Sequence, residues 1–147
     1  LSRCDVSAAA GLLALALLAQ ILLTLGVYLV MSVRRQQAMR RGDARPEDYV
    51  LVQNEPRYAA RATRNLANQF ELPVLFYALG LMLLALGGAT LIDVALAWIF
   101  VASRFAHAAV ALSSENVKLR GLVFLVGLVA VGLLVLHVAM VVIASIS

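Results

Sequence analysis

The sequence predicts an all-α integral-membrane protein, an up-and-down bundle of four helices, and three observations carry that prediction. Of its 147 residues, 63% are hydrophobic and only 14% are charged, with a mean hydropathy of +0.95, whereas a soluble domain is nearer half apolar and a quarter charged. The apolar residues gather into four runs, each long enough to cross a hydrocarbon core about 30 Å thick, which takes roughly 20 helical residues. The last three runs are joined by connections of only a few residues, which makes them sequential antiparallel neighbours. The length fits one domain over residues 1–147.

The first span runs from about Ser7 to Val33, interrupted only by Gln20 and small hydroxyl residues. It is too long for a signal-peptide core, and its basic residues, Arg34 and Arg35, follow the apolar run instead of preceding it. The second span, about Asn65 to Leu86, begins with a polar turn and contains Pro73. The third covers about Leu91 to Leu112 and the fourth about Leu119 to Ile146. Between the first two lies the one long polar segment, 34–64, in which Gly42-Asp43-Ala44-Arg45-Pro46 reads as a turn and Pro46-Glu47-Asp48-Tyr49 as a short helix start.

Charge placement orients these spans. The 12 Lys and Arg against 8 Asp and Glu give a net charge of +4, which in a soluble chain would suggest nucleic acid. Here eight of the 12 basic residues lie in segment 34–64, Lys118 and Arg120 flank the link at 113–118, and the turn at 87–90 has none. The positive-inside rule places both basic loops in the cytoplasm and both termini on the other side of a cell membrane, with Arg3 a weak opposing signal. Membrane lipid is the expected partner, and nucleic acid is not. The single cysteine, Cys4, excludes an intrachain disulfide. The chain holds no metal-ligand spacing, phosphate loop or Ser-His-Asp set, so hydrolase and nucleotide chemistry have no support.

Ionisable groups inside a span are costly and mark a site or a specific contact. Arg57, Arg61, Arg64, Asn68 and Glu71 recur at spacings of four, three, four and three, which on a continuous helix confines them to about 80° of arc. The third span adds Arg104 and His107, three apart, and the fourth opens with Arg120. Glu71 lies about seven residues (~10 Å) and Arg104 about eight residues (~12 Å) from the cytoplasmic ends of their spans. At equal depth on adjacent helices they are expected to form an ion pair, which by itself could serve only to fix helix register. One carboxylate cannot neutralise Arg57, Arg61, Arg64, Arg104 and Arg120 together. The excess guanidinium reads as a pocket for an anionic ligand open to the cytoplasm, although arginines at a helix end also serve as headgroup anchors. His137, without a charged companion within a turn, reads as a structural hydrogen-bond donor.

The pattern Arg61-x-x-Arg64-x-x-x-Asn68-x-x-Glu71 followed by Pro73, then Arg104-x-x-His107 on the next helix, resembles the MAPEG family, the membrane-associated proteins of eicosanoid and glutathione metabolism. The stretch from Asn68 to Tyr77 is similar to bacterial members. The resemblance implies a homotrimer of four-helix subunits, with glutathione as co-substrate held between subunits near the cytoplasmic side. Arg64, Asn68 and Glu71 match glutathione-contacting positions, Arg61 a nearby basic one, and Arg104 and His107 the third-helix positions. Arg120 matches the arginine that favours the thiolate, so Arg120 and Arg104 are the implied catalytic residues and Arg61, Arg64, Asn68, Glu71 and His107 the implied ligand contacts. Ala111, Leu72 and Gly121 stand where some members carry tyrosine, tyrosine and serine.

The implied function is a glutathione-dependent transferase or peroxidase acting on a lipophilic electrophile. An adjacent guanidinium would lower the pKa of the glutathione thiol from its ordinary value near 8.5. Two alternatives stay open. One is a catalytically silent scaffold of the same fold that binds a lipid headgroup or a partner protein. The other is a small proton-coupled transporter built on Glu71.

Overall fold

The computed structural model describes residues 3–50 and 54–146, with side chains from residue 8 onward within those ranges; Arg3 and Cys4 therefore contribute backbone only. The chain forms α1 (Arg3–Arg41), a short 3-10 helix (Pro46–Tyr49), α2 (Arg57–Ala67), a second 3-10 turn (Asn68–Phe70), α3 (Leu72–Ala85), α4 (Leu91–Ser113) and α5 (Val117–Ile146). Four helical segments are long and apolar enough to cross a membrane, with α2 and α3 together making the second. All-helical architecture follows from the solvent, because hydrocarbon offers no partner to an open backbone group.

Three boundaries differ from the hydropathic runs. The first helix does not stop at Val33. It continues through Gln36-Gln37-Ala38-Met39, all competent helix formers, to Arg41. There Gly42 adopts φ +76°, and the amides of Gly42 and Asp43 bond back to the carbonyls of Met39 (3.1 Å) and Ala38 (2.9 Å), the left-handed C-terminal cap that glycine permits. At the other edge of the basic segment, α2 begins at Arg57, so the connection between α1 and α2 shrinks to residues 42–56. Third, the second span is broken. Pro73 cannot donate a backbone N–H, and its ring would collide with the carbonyl of Gln69 in a continuous helix. The chain instead turns through Asn68–Phe70 and passes Glu71 at φ −96°, ψ −102°. The stripe expected to run unbroken from Arg57 to Glu71 therefore ends at the break.

The remaining ends are capped locally. Gly87 (φ +64°) closes α3, with the Gly88 amide bonded to the Leu83 carbonyl at 3.0 Å. Thr90 and Asp93 form a reciprocal capping box at the start of α4. Asn116 Oδ1 accepts the Leu119 amide at the start of α5 (3.0 Å).

The bundle is closed most extensively by α4 against α5, with α1 packed on α2, α3 and α4 and α3 on α5. Its core brings together Leu13, Ala16 and Leu17 of α1, Phe76, Leu79 and Leu83 of α3, Ala97, Phe100 and Val101 of α4, and Ala130, Val131 and Leu134 of α5. Phe76 and Phe100 stack with ring centroids 4.4 Å apart at its centre. Close approach of α5 to α4 depends on Gly127, where a Cβ would lie 2.6 Å from Ser103 Oγ; small residues at such crossings are how helices associate in lipid. Leucines, isoleucines and valines cover the outside of the bundle, among them Leu22, Leu29, Leu81, Leu122 and Leu136. Apolar residues around the whole circumference are what a spanning helix requires. The protein is a multi-pass membrane protein.

Candidate functional site

α2, the C-terminal end of α4 and the start of α5 border a cavity of about 340 Å³, within the range of small-molecule sites. α2 supplies Arg57, Arg61, Arg64, Asn65 and Asn68, the end of α4 supplies Ala111, and the following link and α5 supply Ser114, Glu115, Val117 and Arg120. α2 can do this because alanines and Leu66 face inward (Ala59, Ala62 and Leu66 are buried) and leave its arginines on the opposite side. Four guanidinium groups thus line the cavity against one carboxylate, Glu115, which is already engaged as the ion-pair partner of Arg61. The surplus positive charge, presented as planar donor forks, suits carboxylate or phosphate groups.

Of the residues singled out from the sequence, Arg61, Arg64, Asn68 and Arg120 are brought together in this cavity, and Arg57 joins them. Glu71, Arg104 and His107 do not line it. Glu71 is exposed on the outside of the single bundle just past the break. Arg104 is only 1% exposed, and no ion pair joins the two among the described residues. In place of the expected pair, Arg104 Nη2 donates to the backbone carbonyl of Asn68 (3.1 Å), and its guanidinium lies 5.9 Å from the Phe124 ring centroid, within cation–π range. The break accounts for the difference: once the helix unwinds at Asn68, its freed carbonyl needs a donor, and Glu71, past the break, stays outside salt-bridge distance of Arg104 while still acting on it through space. His107, also buried, packs against the same Phe124 ring.

Several polar residues of structural weight carried no signal in the pattern. Glu115 sits in a short polar link, and only the fold folds it back over Arg61. Asn65 is 1% exposed and donates through Nδ2 to the Ala108 carbonyl (3.3 Å), fixing α2 against α4 beneath the cavity. Gln20 and Gln69, each at most 1% exposed, bond to each other across α1 and the break. Asp93 is fully buried; it accepts from the Thr90 amide (2.8 Å) and hydroxyl (2.7 Å), and it lies 2.7 Å from His137 Nδ1. The hydrogen-bonding role expected of His137 thus acquires an acidic partner 44 residues away in sequence, on α4.

The basic segment is also less loop-like than its composition suggests. Arg34 donates to the carbonyls of Tyr58 (3.0 Å) and Leu112 (3.4 Å), tying α1 to α2 and to the end of α4. Arg35 pairs with Glu55 (2.8 Å), whose side chain is 2% exposed, and with the Thr63 hydroxyl (3.1 Å), while its guanidinium lies 4.8 Å from the Tyr49 ring centroid. Burial, and next the Glu55 carboxylate, raise the Tyr49 phenol above its ordinary pKa, so it stays a neutral ring beneath Arg35. These contacts fasten the connection 42–56 to the helices that carry the cavity. Among the described residues no group of three or more His, Cys, Asp or Glu is placed to hold a metal ion.

In comparison with known proteins, a sequence model of the MAPEG family matches residues 12–140. No curated protein and no solved structure matches the chain.

Proposed function

Because the chain belongs to the MAPEG family, we propose that it is a membrane-embedded glutathione-dependent transferase or peroxidase acting on lipophilic electrophiles. The observation that supports this reading most directly is the cavity that Arg57, Arg61, Arg64 and Arg120 line together with Asn65, Asn68 and Glu115. Glutathione carries two carboxylates and one ammonium and is a net anion, so a lining with a surplus of guanidinium groups complements its charge. In this reading Arg61, Arg64 and Asn68 take the carboxylates. Arg120 lies beside the sulfur, where a cation favours the thiolate over the thiol, and the displaced proton passes to water at the cytoplasmic mouth. The thiolate lone pair forms the new bond to an electrophile arriving through the lipid, and the electrons of the bond that breaks leave to the electrophile's oxygen or leaving group. Orientation of the two reactants at the bilayer edge supplies the rate. Arg104 and His107 act from behind the wall, through Asn68 and Phe124.

The same reading includes assembly as a homotrimer. A carboxylate at the depth of Glu71 is costly to expose to hydrocarbon, and a neighbouring copy supplies it with a polar surround and adds that residue to the ligand site. Calorimetry on the purified protein tests the proposal: binding of reduced glutathione at millimolar concentration is expected, and no detectable heat at that concentration overturns it. A second reading, a silent scaffold that holds a lipid headgroup or another anion, is favoured by one feature. Ala111 places only a methyl in the cavity wall, where the resemblance provides for a tyrosine hydroxyl near the thiol. Lipid retained in native mass spectra and not displaced by glutathione would select that reading.

A further inference from the structure

The break in the second span is gripped from two sides by buried side chains that do not line the cavity. From α4, Arg104 Nη2 donates to the Asn68 carbonyl at 3.1 Å. From α1, Gln20 Nε2 donates to Gln69 Oε1 at 3.0 Å. Gln20 and Gln69 are 0% and 1% exposed. Gln20 stands in a stretch whose other residues, from Ala8 to Val33, are apolar or small. A buried amide in hydrocarbon is unfavourable unless it is bonded, and a leucine of similar size would fill the same space between α1 and the break. Packing therefore gives no reason for a glutamine at this position, whereas its bond to the break does.

We infer that Gln20 is a positioning residue for the anion cavity: by holding Gln69, it sets the rotation of the 3-10 turn that presents Asn68 to the ligand. A three-residue turn with a single anchor can swing about it. The two anchors here sit on consecutive residues, one on the backbone of Asn68 and one on the side chain of Gln69, and they pull toward different helices. Together they leave the Asn68 side chain facing the cavity, one turn beyond Arg64 on the same face. The break is thus a built feature, in which α1, although it contributes no residue to the cavity lining, controls the geometry of its floor.

The ligand side of this inference rests on the glutathione reading, so its test pairs a ligand measurement with one that needs no ligand. Full-length protein in lipid nanodiscs is compared as wild type, Gln20→Leu, Gln69→Leu and the double variant. Amide exchange at residues 68–72 is expected to accelerate about tenfold in Gln20→Leu, the equivalent of one lost buried hydrogen bond, with α4 and α5 unchanged. The glutathione Kd is expected to rise by about the same factor. Gln69→Leu reproduces both effects and the double variant adds nothing, because the two side chains act as one link. Unchanged exchange at 68–72 in Gln20→Leu, or losses that add in the double variant, overturns the inference. If the wild type binds no glutathione, the proposed function falls while the exchange comparison still decides the role of Gln20. Should Gln20→Leu fail to fold, Gln20→Met, of similar length and also unable to make the bond, carries the same comparison.

Discussion

Arg120 is the guanidinium on which the proposed chemistry turns, since it stands in the first turn of α5 and lines the cavity together with the arginines of α2. Replacing it with alanine removes a charge-assisted bond worth about 1.5–3 kcal/mol, about 10- to 100-fold in ligand affinity. The thiolate absorbance of bound glutathione is expected to fall in Arg120→Ala and to recover only in part in Arg120→Lys, which restores the charge but not the planar fork. His137 makes the opposite case. It lies 17 residues beyond Arg120 on α5, about 25 Å along the helix axis, and its Nδ1 contacts the buried Asp93. Aside from these two residues, no charged side chain or histidine occurs in residues 72–103 or 121–147. His137→Leu leaves one oxygen of a buried carboxylate without its partner, at a cost of about 1–3 kcal/mol. Thermal melting is therefore expected to drop while glutathione affinity is unchanged; loss of both together would show that the two ends of the bundle are coupled.

Among the elements, the α4–α5 pair is the tightest, and Gly127 is where it closes. A Cβ there would lie 2.6 Å from Ser103 Oγ and 3.6 Å from the Phe100 ring. Gly127→Val is expected to destabilise the protein by about 1–3 kcal/mol through overpacking, whereas Gly132→Ala, with nothing within 4 Å, should be neutral or slightly stabilising. Melting of the two variants in the same detergent separates close approach from simple helix propensity. The other element that differs from its sequence reading is the second span. Its apolar run is continuous enough to predict one helix, but Pro73 and the two buried anchors at Asn68 and Gln69 divide it. The proline was legible in the sequence. The partners that stabilise the resulting break were not, because they come from α1 and α4.

For the molecule as a whole, four arginines against one glutamate line the cavity, so the proposed ligand capture is electrostatic. Arg57 and Arg64 of its lining are exposed, so the cavity's field is screened by salt over about 8–10 Å at physiological ionic strength. Affinity for a dianionic ligand is expected to fall steadily as sodium chloride is raised from low to molar concentration, measured by calorimetry at constant pH. A flat salt response would place the binding energy in apolar contacts instead. Span number and the cavity's arginines were readable from the chain, since hydropathy and charge placement act through the solvent and are encoded residue by residue. Glu115, Asn65 and the Asp93–His137 contact were not, because each becomes a partner only after helices distant in sequence are brought side by side.

Membrane residence, four helical crossings and the gathering of most of the arginines at one end are all written in the chain. Each of these follows from transfer between water and hydrocarbon, a property of local composition. Which arginines share a cavity, and that Arg104 bonds the Asn68 carbonyl, became visible once the helices were packed together. The same packing turned a glutamine in the first helix toward the floor of the site. Those outcomes depend on where a helix breaks and which buried polar groups find each other, and in hydrocarbon an unsatisfied group is costly enough to make that search decisive.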